Sequence, residues 1–256
     1  MADVSRIKVA AYQMPVTSDQ RSNFSKIKNG IKQAADGGAA IIALPECALS
    51  GYPPLHHKSI SDINIDLIAD LNQQICDCAK ENGMWVVLGT ILTSPNGLTN
   101  SALVISSTGE VAGRYDKLHL MPGDKDFFTP GSNARTFNIN GIDFGALICY
   151  DVRFPEPFKY LRDQGAKFTI VSLNACGSDT WKAPVMEGAI RTRAAENSCF
   201  IIAANAAGPL QMCTSRICNP LGLDLASANY DREEMLFAEL NICETDQGIY
   251  FDKRKF

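Results

Sequence analysis

The sequence predicts an α/β fold, strand-rich at its centre with helices outside, and three observations predict it. Short apolar runs alternate with amphipathic segments along the chain. No Pro/Ser/Gly-rich linker or low-complexity tract interrupts them, so residues 1–256 read as one domain. A length of 256 residues, 46% apolar and 20% charged, is ample for a large buried core.

Taken in order, Ile7 to Met14 is a strand. After the turn-like Pro15 to Asp19, the residues Phe24, Ile27, Ile31, Ala34 and Ala35 recur at helical spacing until Gly37-Gly38 stops the helix. Ala39 to Leu44 is a second strand, closed by Pro45. Leu67, Ile68, Leu71, Ile75 and Ala79 mark a helix ending at Gly83. Trp85 to Leu92 and Ser101 to Ser106 are strands about a Pro95-Asn96-Gly97 turn, and Glu110 to Leu118 is another. The second half repeats this alphabet. Ile142 to Cys149, Phe168 to Leu173 and Cys199 to Asn205 are strands, separated by helices over Pro155 to Gln164 and Trp181 to Asn197. Met212 to Cys218, Leu223 to Ala228 and Met235 to Ile242 read as short strands joined by turns.

Composition excludes several classes. Twenty-four basic against twenty-eight acidic residues leave a net charge of −4, without the basic surplus of a nucleic-acid binder. No apolar run approaches the ~18 residues that span a bilayer. Met1-Ala2-Asp3-Val4-Ser5-Arg6 lacks the apolar core of a signal peptide, so the expected setting is cytoplasmic. Nine cysteines, an odd number in a chain too long to need staples, read as reduced thiols rather than a disulfide framework. There is no Cys-x-x-Cys and there are three His, so no metal is expected. Most of the thiols should be small buried hydrophobes.

Three segments end an apolar strand abruptly in a polar or reactive side chain. They are Ile41-Ile42-Ala43-Leu44-Pro45-Glu46, Tyr115-Asp116-Lys117-Leu118-His119-Leu120, and the run from Gly145 through Cys149-Tyr150-Asp151-Val152-Arg153 to Glu156. Carboxyl ends of strands are where sheet proteins build sites. A free thiol, with a pKa near ~8.5, is mostly protonated at neutral pH and needs a base to attack. Glu46 can be that base for Cys149, and Lys117 can stabilise charge on a substrate oxygen.

Leu44-Pro45-Glu46 with Gly51-Tyr52, Asp116-Lys117-Leu118-His119, and Cys149-Tyr150-Asp151-Val152-Arg153-Phe154-Pro155-Glu156 together resemble the three signatures of the nitrilase superfamily, the carbon–nitrogen hydrolases. Their order, and separations of 71 and 32 residues between Glu46, Lys117 and Cys149, match as well. The resemblance runs from the first strand to about Ile242. It includes Arg193-Ala194-Ala195-Glu196-Asn197 and Asn219-Pro220-Leu221-Gly222. It implies a four-layer α-β-β-α sandwich, a Glu46-Lys117-Cys149 triad, and neither metal nor organic cofactor. It also implies a homo-oligomer, commonly a dimer joined through the layer carrying the Trp181 to Asn197 helix. The implied reaction is amide hydrolysis to acid and ammonia through a thioester on Cys149, with Lys117 and the Tyr150 backbone N–H holding the oxyanion. Members commonly carry a second glutamate six residues before the proline of the Phe128-Thr129-Pro130-Gly131 segment. Here Asp124 stands there, one methylene shorter; Asp126 or a tighter loop are the two ways to restore the reach.

Tyr52, Arg153 and Asn174 are the candidate substrate-binding residues. Arg153 offers a planar fork for a carboxylate, which points to a small linear carboxamide such as a dicarboxylic acid monoamide. The competing reading pairs Arg153 with Asp151 or Glu156. An N-carbamoyl amino acid hydrolase on the same scaffold and a non-catalytic binding protein are the alternative functions. His119 reads as a structural histidine, Trp181 as core or interface, and Arg193 with Glu196 as a helix ion pair.

Overall fold

The computed structural model describes residues 5–179 and 181–246. Most of the Met1 to Arg6 segment lies outside that range, as do residues 180 and 247–256. The strands are β1 (Arg6–Pro15), β2 (Ile41–Ala43), β3 (Trp85–Ser94), β4 (Gly97–Ile105), β5 (Val111–Asp116) and β6 (Thr136–Ile139), then β7 (Ile142–Ile148), β8 (Phe168–Leu173), β9 (Phe200–Ala207), β10 (Arg216–Cys218), β11 (Asp224–Ser227) and β12 (Glu234–Asn241). The α-helices are α1 (Gln20–Asp36), α2 (Pro53–His56), α3 (Ile65–Glu81), α4 (Pro155–Asp163) and α5 (Lys182–Asn197).

The strands form two sheets that meet along a short seam. One runs β5-β4-β3-β2-β1-β12 and the other β6-β7-β8-β9-β10-β11. The seam is the parallel pairing of Met14 with Ala206 and Pro15 with Ala207. Alternation along β1 shows how the layers stack. Val9 and Ala11 face the core shared with the second sheet, whereas Ala10, Tyr12 and Met14 face α1 and α3. Asp19 caps α1 by accepting from the Arg21 and Ser22 amides, and Ile27, Ile31 and Ala34 bury its inner stripe. Asn64 caps α3, which buries Ile68, Leu71, Ile75 and Ala79 against the same sheet. On the far side Phe158 and Leu161 of α4, and Ile190 and Ala194 of α5, pack against β7 and β9. The result is the four-layer α-β-β-α order.

The sequence reading missed β6 and placed β10 within a longer stretch starting at Met212. All nine cysteines are free thiols, and seven are buried. Among the described residues no helix is long and apolar enough to cross a membrane.

Candidate active site

Four strand ends converge between the sheets. Glu46 follows β2 and Lys117 follows β5 in the first sheet, while Cys149 follows β7 and Asn174 follows β8 in the second. The Glu46 amide donates to the Leu173 carbonyl at 3.1 Å, bridging the sheets, and the Lys117 amide donates to the Asn100 carbonyl at 2.9 Å. Close approach at the Glu46 turn demands glycine in the neighbouring strand. A Cβ on Gly89 would lie 1.9 Å from the Pro45 carbonyl oxygen and 2.9 Å from the Glu46 Cα.

The Glu46 carboxylate is the hub. Its Oε1 accepts from Lys117 Nζ at 2.7 Å and from Asn100 Nδ2 at 2.7 Å, while Oε2 accepts from the Asn174 amide at 3.0 Å. The Cys149 thiol sits close enough to the same carboxylate for the Glu46 charge to raise it. Lys117 Nζ also donates to Asp124 Oδ2 at 2.7 Å, and Asp124 Oδ1 accepts from the Tyr52 hydroxyl at 2.6 Å. The shorter Asp124 side chain therefore does reach the lysine. A 3₁₀ turn over Pro122–Asp126 draws it in, and the Met121 amide donates to its Oδ2 at 3.0 Å. Asp126 stays exposed and takes no part.

Cys149 has φ of 44°, a left-handed conformation that costs a non-glycine residue ~1–3 kcal/mol and recurs where a side chain must be presented at a fixed angle. Its turn is held from α5, because Arg193 Nε donates to the Val152 carbonyl at 3.1 Å while pairing with Glu196 at 2.7 Å. That is the structural ion pair expected of these two residues.

Burial sets the protonation states. Glu46 is raised above the ordinary carboxylate range by burial first, with Lys117 opposing and Asp124 adding to the rise. Burial and the Glu46 charge hold the Cys149 thiol well above its usual range. For Lys117 burial is the largest influence and works against the charge, but Glu46, Cys149 and Asp124 together outweigh it and raise the ammonium. The resting site therefore sets a neutral thiol near a carboxyl group of raised basicity, beside a permanent cation. A lysine ammonium has three donors, and two are engaged, leaving one for a substrate oxygen.

Cys149 opens into a cavity of about 260 Å³. Tyr52, Tyr150, Arg153 and Asn174 all line it, with Met121, Met186, Met212 and Cys176 as apolar wall. Arg153 is not paired with Asp151, whose carboxylate is occupied by Tyr115, His119 and the Ile148 amide. Its guanidinium instead lies 6.0 Å from the Tyr150 ring centroid and 5.9 Å from that of Trp181. Trp181, expected in core or interface, is 56% exposed at the cavity rim. The Asn174 side chain accepts from Gln211 Nε2 at 2.8 Å. Asn100 and the Asn174 backbone are parts of the site that the sequence reading missed. A buried asparagine inside β4, where asparagine is disfavoured, was the available signal for Asn100. Among the described residues no group of three or more His, Cys, Asp or Glu side chains is placed to hold a metal ion.

The fold and the sequence have counterparts among known proteins. Residues 8–250 match the family described as "Carbon-nitrogen hydrolase". A protein named "Nitrilase" from Pyrococcus abyssi is 30% identical over 243 residues, covering 92% of this chain and 90% of that one. A deaminated glutathione amidase from Yersinia enterocolitica is 30% identical over 214 residues, covering 78% and 73% respectively. A mutant of the amidase from Nesterenkonia sp. AN1, solved with acrylamide added at its active-site cysteine, matches with a TM-score of 0.83 at 23% identity, over 91% of this chain and 93% of that chain.

Proposed function

The chain belongs to the carbon–nitrogen hydrolase family, enzymes acting on C–N bonds other than peptide bonds, and from that premise we propose that it is an amidase for a small linear carboxamide bearing a carboxylate. One observation carries the chemistry: a single buried carboxylate, Glu46, is bonded to the Lys117 ammonium and acts electrostatically on the Cys149 thiol, which lines a cavity. As substrate enters, Glu46 takes the thiol proton and the sulfur attacks the carboxamide carbon. The oxyanion is met by the free donor of Lys117 and the Tyr150 backbone N–H. Glu46 returns its proton to the nitrogen, the C–N bond breaks, and ammonia leaves a thioester behind. Water then attacks while Glu46 accepts its proton. Collapse of the second tetrahedral intermediate frees the acid, and the proton returns to sulfur. Asp124, with Tyr52, supports the Lys117 ammonium throughout.

The carboxylate preference rests on Arg153. It lines the cavity and has no carboxylate partner among the described residues, only the two aromatic faces. The expected result from a panel of neutral amides, dicarboxylic acid monoamides and N-carbamoyl amino acids is ammonia without carbon dioxide, fastest for the monoamides. Arg153→Gln should raise KM for a monoamide by about 10- to 100-fold at nearly unchanged kcat, the mark of lost uniform binding. Release of both gases would establish the carbamoyl alternative instead.

The same reading includes self-association through the α5 layer. Val185 on α5 is 45% exposed, and Leu221 and Leu223, on a turn packed against α5, are 46% and 61% exposed. Exposed apolar side chains on this layer are what an interaction face would need. Light scattering at micromolar concentration should give at least a dimer, and a monomeric mass would refute the assembly.

A further inference from the structure

We propose that Asp151 is the positioning residue that holds the oxyanion-binding lysine and the nucleophile in register, an inference that rests on the roles read above for Lys117 and Cys149. These two groups come from different sheets. β5 pairs with β4, and β7 pairs with β6 and β8, so no backbone ladder joins the strand carrying Lys117 to the strand carrying Cys149. A direct side-chain link is the carboxylate of Asp151, which is fully buried.

Asp151 lies two residues after the nucleophile, and its carboxylate clasps the segment around Lys117 from both sides. Oδ2 accepts from the Tyr115 hydroxyl at 2.7 Å, two residues before Lys117. Oδ1 accepts from the His119 amide at 3.0 Å and bonds to His119 Nδ1 at 2.8 Å, two residues after it. The same Oδ2 also accepts from the Ile148 amide at 3.0 Å, pinning the residue before Cys149. The His119 ring then stacks on Phe154, at the end of the nucleophile turn, with centroids 3.6 Å apart and planes 8° from parallel. No Lys or Arg pairs with Asp151 among the described residues. A buried carboxylate held by neutral donors and one imidazole is costly, and its bonds run to the two segments that must be aligned. The strained φ of 44° at Cys149 gives this clasp something to oppose.

Misplacement of a catalytic group by about 1 Å can cost about 100-fold in rate, which sets the expected effect. The test compares two reactions of Cys149. Hydrolysis of succinamate needs the thiol, Glu46 and the oxyanion donor, whereas alkylation by iodoacetamide needs no oxyanion donor. Asp151→Asn should lower kcat about 100-fold with KM within about threefold. Alkylation of Cys149, read by peptide mass, should change by no more than about threefold. Tyr115→Phe removes one hydroxyl from the clasp and should show the same split at about tenfold, which decides the matter if Asp151→Asn does not fold. An unchanged kcat in the folded variants, or alkylation falling in parallel with turnover, would overturn the positioning role. Turnover persisting in Cys149→Ala would instead overturn the underlying functional reading.

Discussion

Cys149→Ala will lose ammonia release from every amide that the parent enzyme turns over, by about 10⁴-fold or more, while keeping the parent's fold. Groups that act as a unit fail as a unit, so under the proposed roles deleting the nucleophile also makes the Glu46 base and the Lys117 oxyanion donor idle. Two other thiols lie close enough to be tested as substitutes. Cys47 adjoins Glu46 in sequence and shares the left-handed backbone, with φ of 50°, but it is fully buried, hydrogen-bonds to Asn100 and does not line the cavity. Cys176 lines the cavity and is partly exposed, yet burial and the Glu46 charge push its thiol up to about 11. A thiol held there contributes little thiolate at neutral pH, and no base is bonded to it. Cys47→Ala and Cys176→Ala should each keep turnover within about tenfold of the parent. Side-chain loss at Cys149 removes one sulfur from a site 7% exposed, so a circular dichroism spectrum and melting point close to the parent's are expected. Appreciable hydrolysis by Cys149→Ala, or its loss in Cys176→Ala instead, would transfer the nucleophile's role elsewhere.

Why these residues were legible in the sequence, and others were not, follows from where each signal lives. Glu46, Lys117 and Cys149 each interrupt an apolar run, and a run of β residues shows its end in one dimension. Strand period also located β7, β8 and β9, whose buried sides read as continuous apolar stretches. Contacts made by backbone are silent in sequence. The Asn174 amide that holds Glu46, and the bare Cα of Gly89 beside the Glu46 turn, acquire meaning only when two strands are adjacent. Asp124 had the wrong length on paper because a count along the chain cannot register a 3₁₀ turn that shortens the gap. β6 has four residues, too few for a period to emerge. For Trp181 the core half of the reading fails for a different reason. Size and apolarity favour burial on average, but an indole beside the cationic Arg153 and Lys182 gains from staying at a wet rim.

Lys117→Met should inactivate the enzyme and also unfold it more easily, by about 3–5 kcal/mol near neutral pH. The Lys117 ammonium and the Glu46 carboxylate are both fully buried, and so is Asp124, each carboxylate 2.7 Å from the same nitrogen. Removing the cation leaves two buried anions facing one another with only neutral donors to hold them. The pH dependence follows from the direction of each shift. In the parent, Lys117 is raised above its ordinary value of 10.5, so its contribution to stability is complete below that pH and is lost only as pH climbs beyond it. In the variant, burial and the Asp124 charge raise Glu46 without an ammonium to oppose them. Groups raised in this way favour the folded state below their unfolded pKa, near 4.5 for Glu46, and lose that contribution as pH rises through the folded value. The stability gap between parent and variant should therefore be widest at pH 8 and narrow towards pH 5. Urea unfolding midpoints at pH 5, 6.5 and 8 measure it. Lys117→Arg should restore part of the stability and little of the turnover, because a planar fork satisfies two carboxylates but cannot direct a third compact donor at the substrate oxygen. A gap that stays constant with pH would mean that Lys117 stabilises the fold by packing alone, and the buried-charge account of the site would then fail.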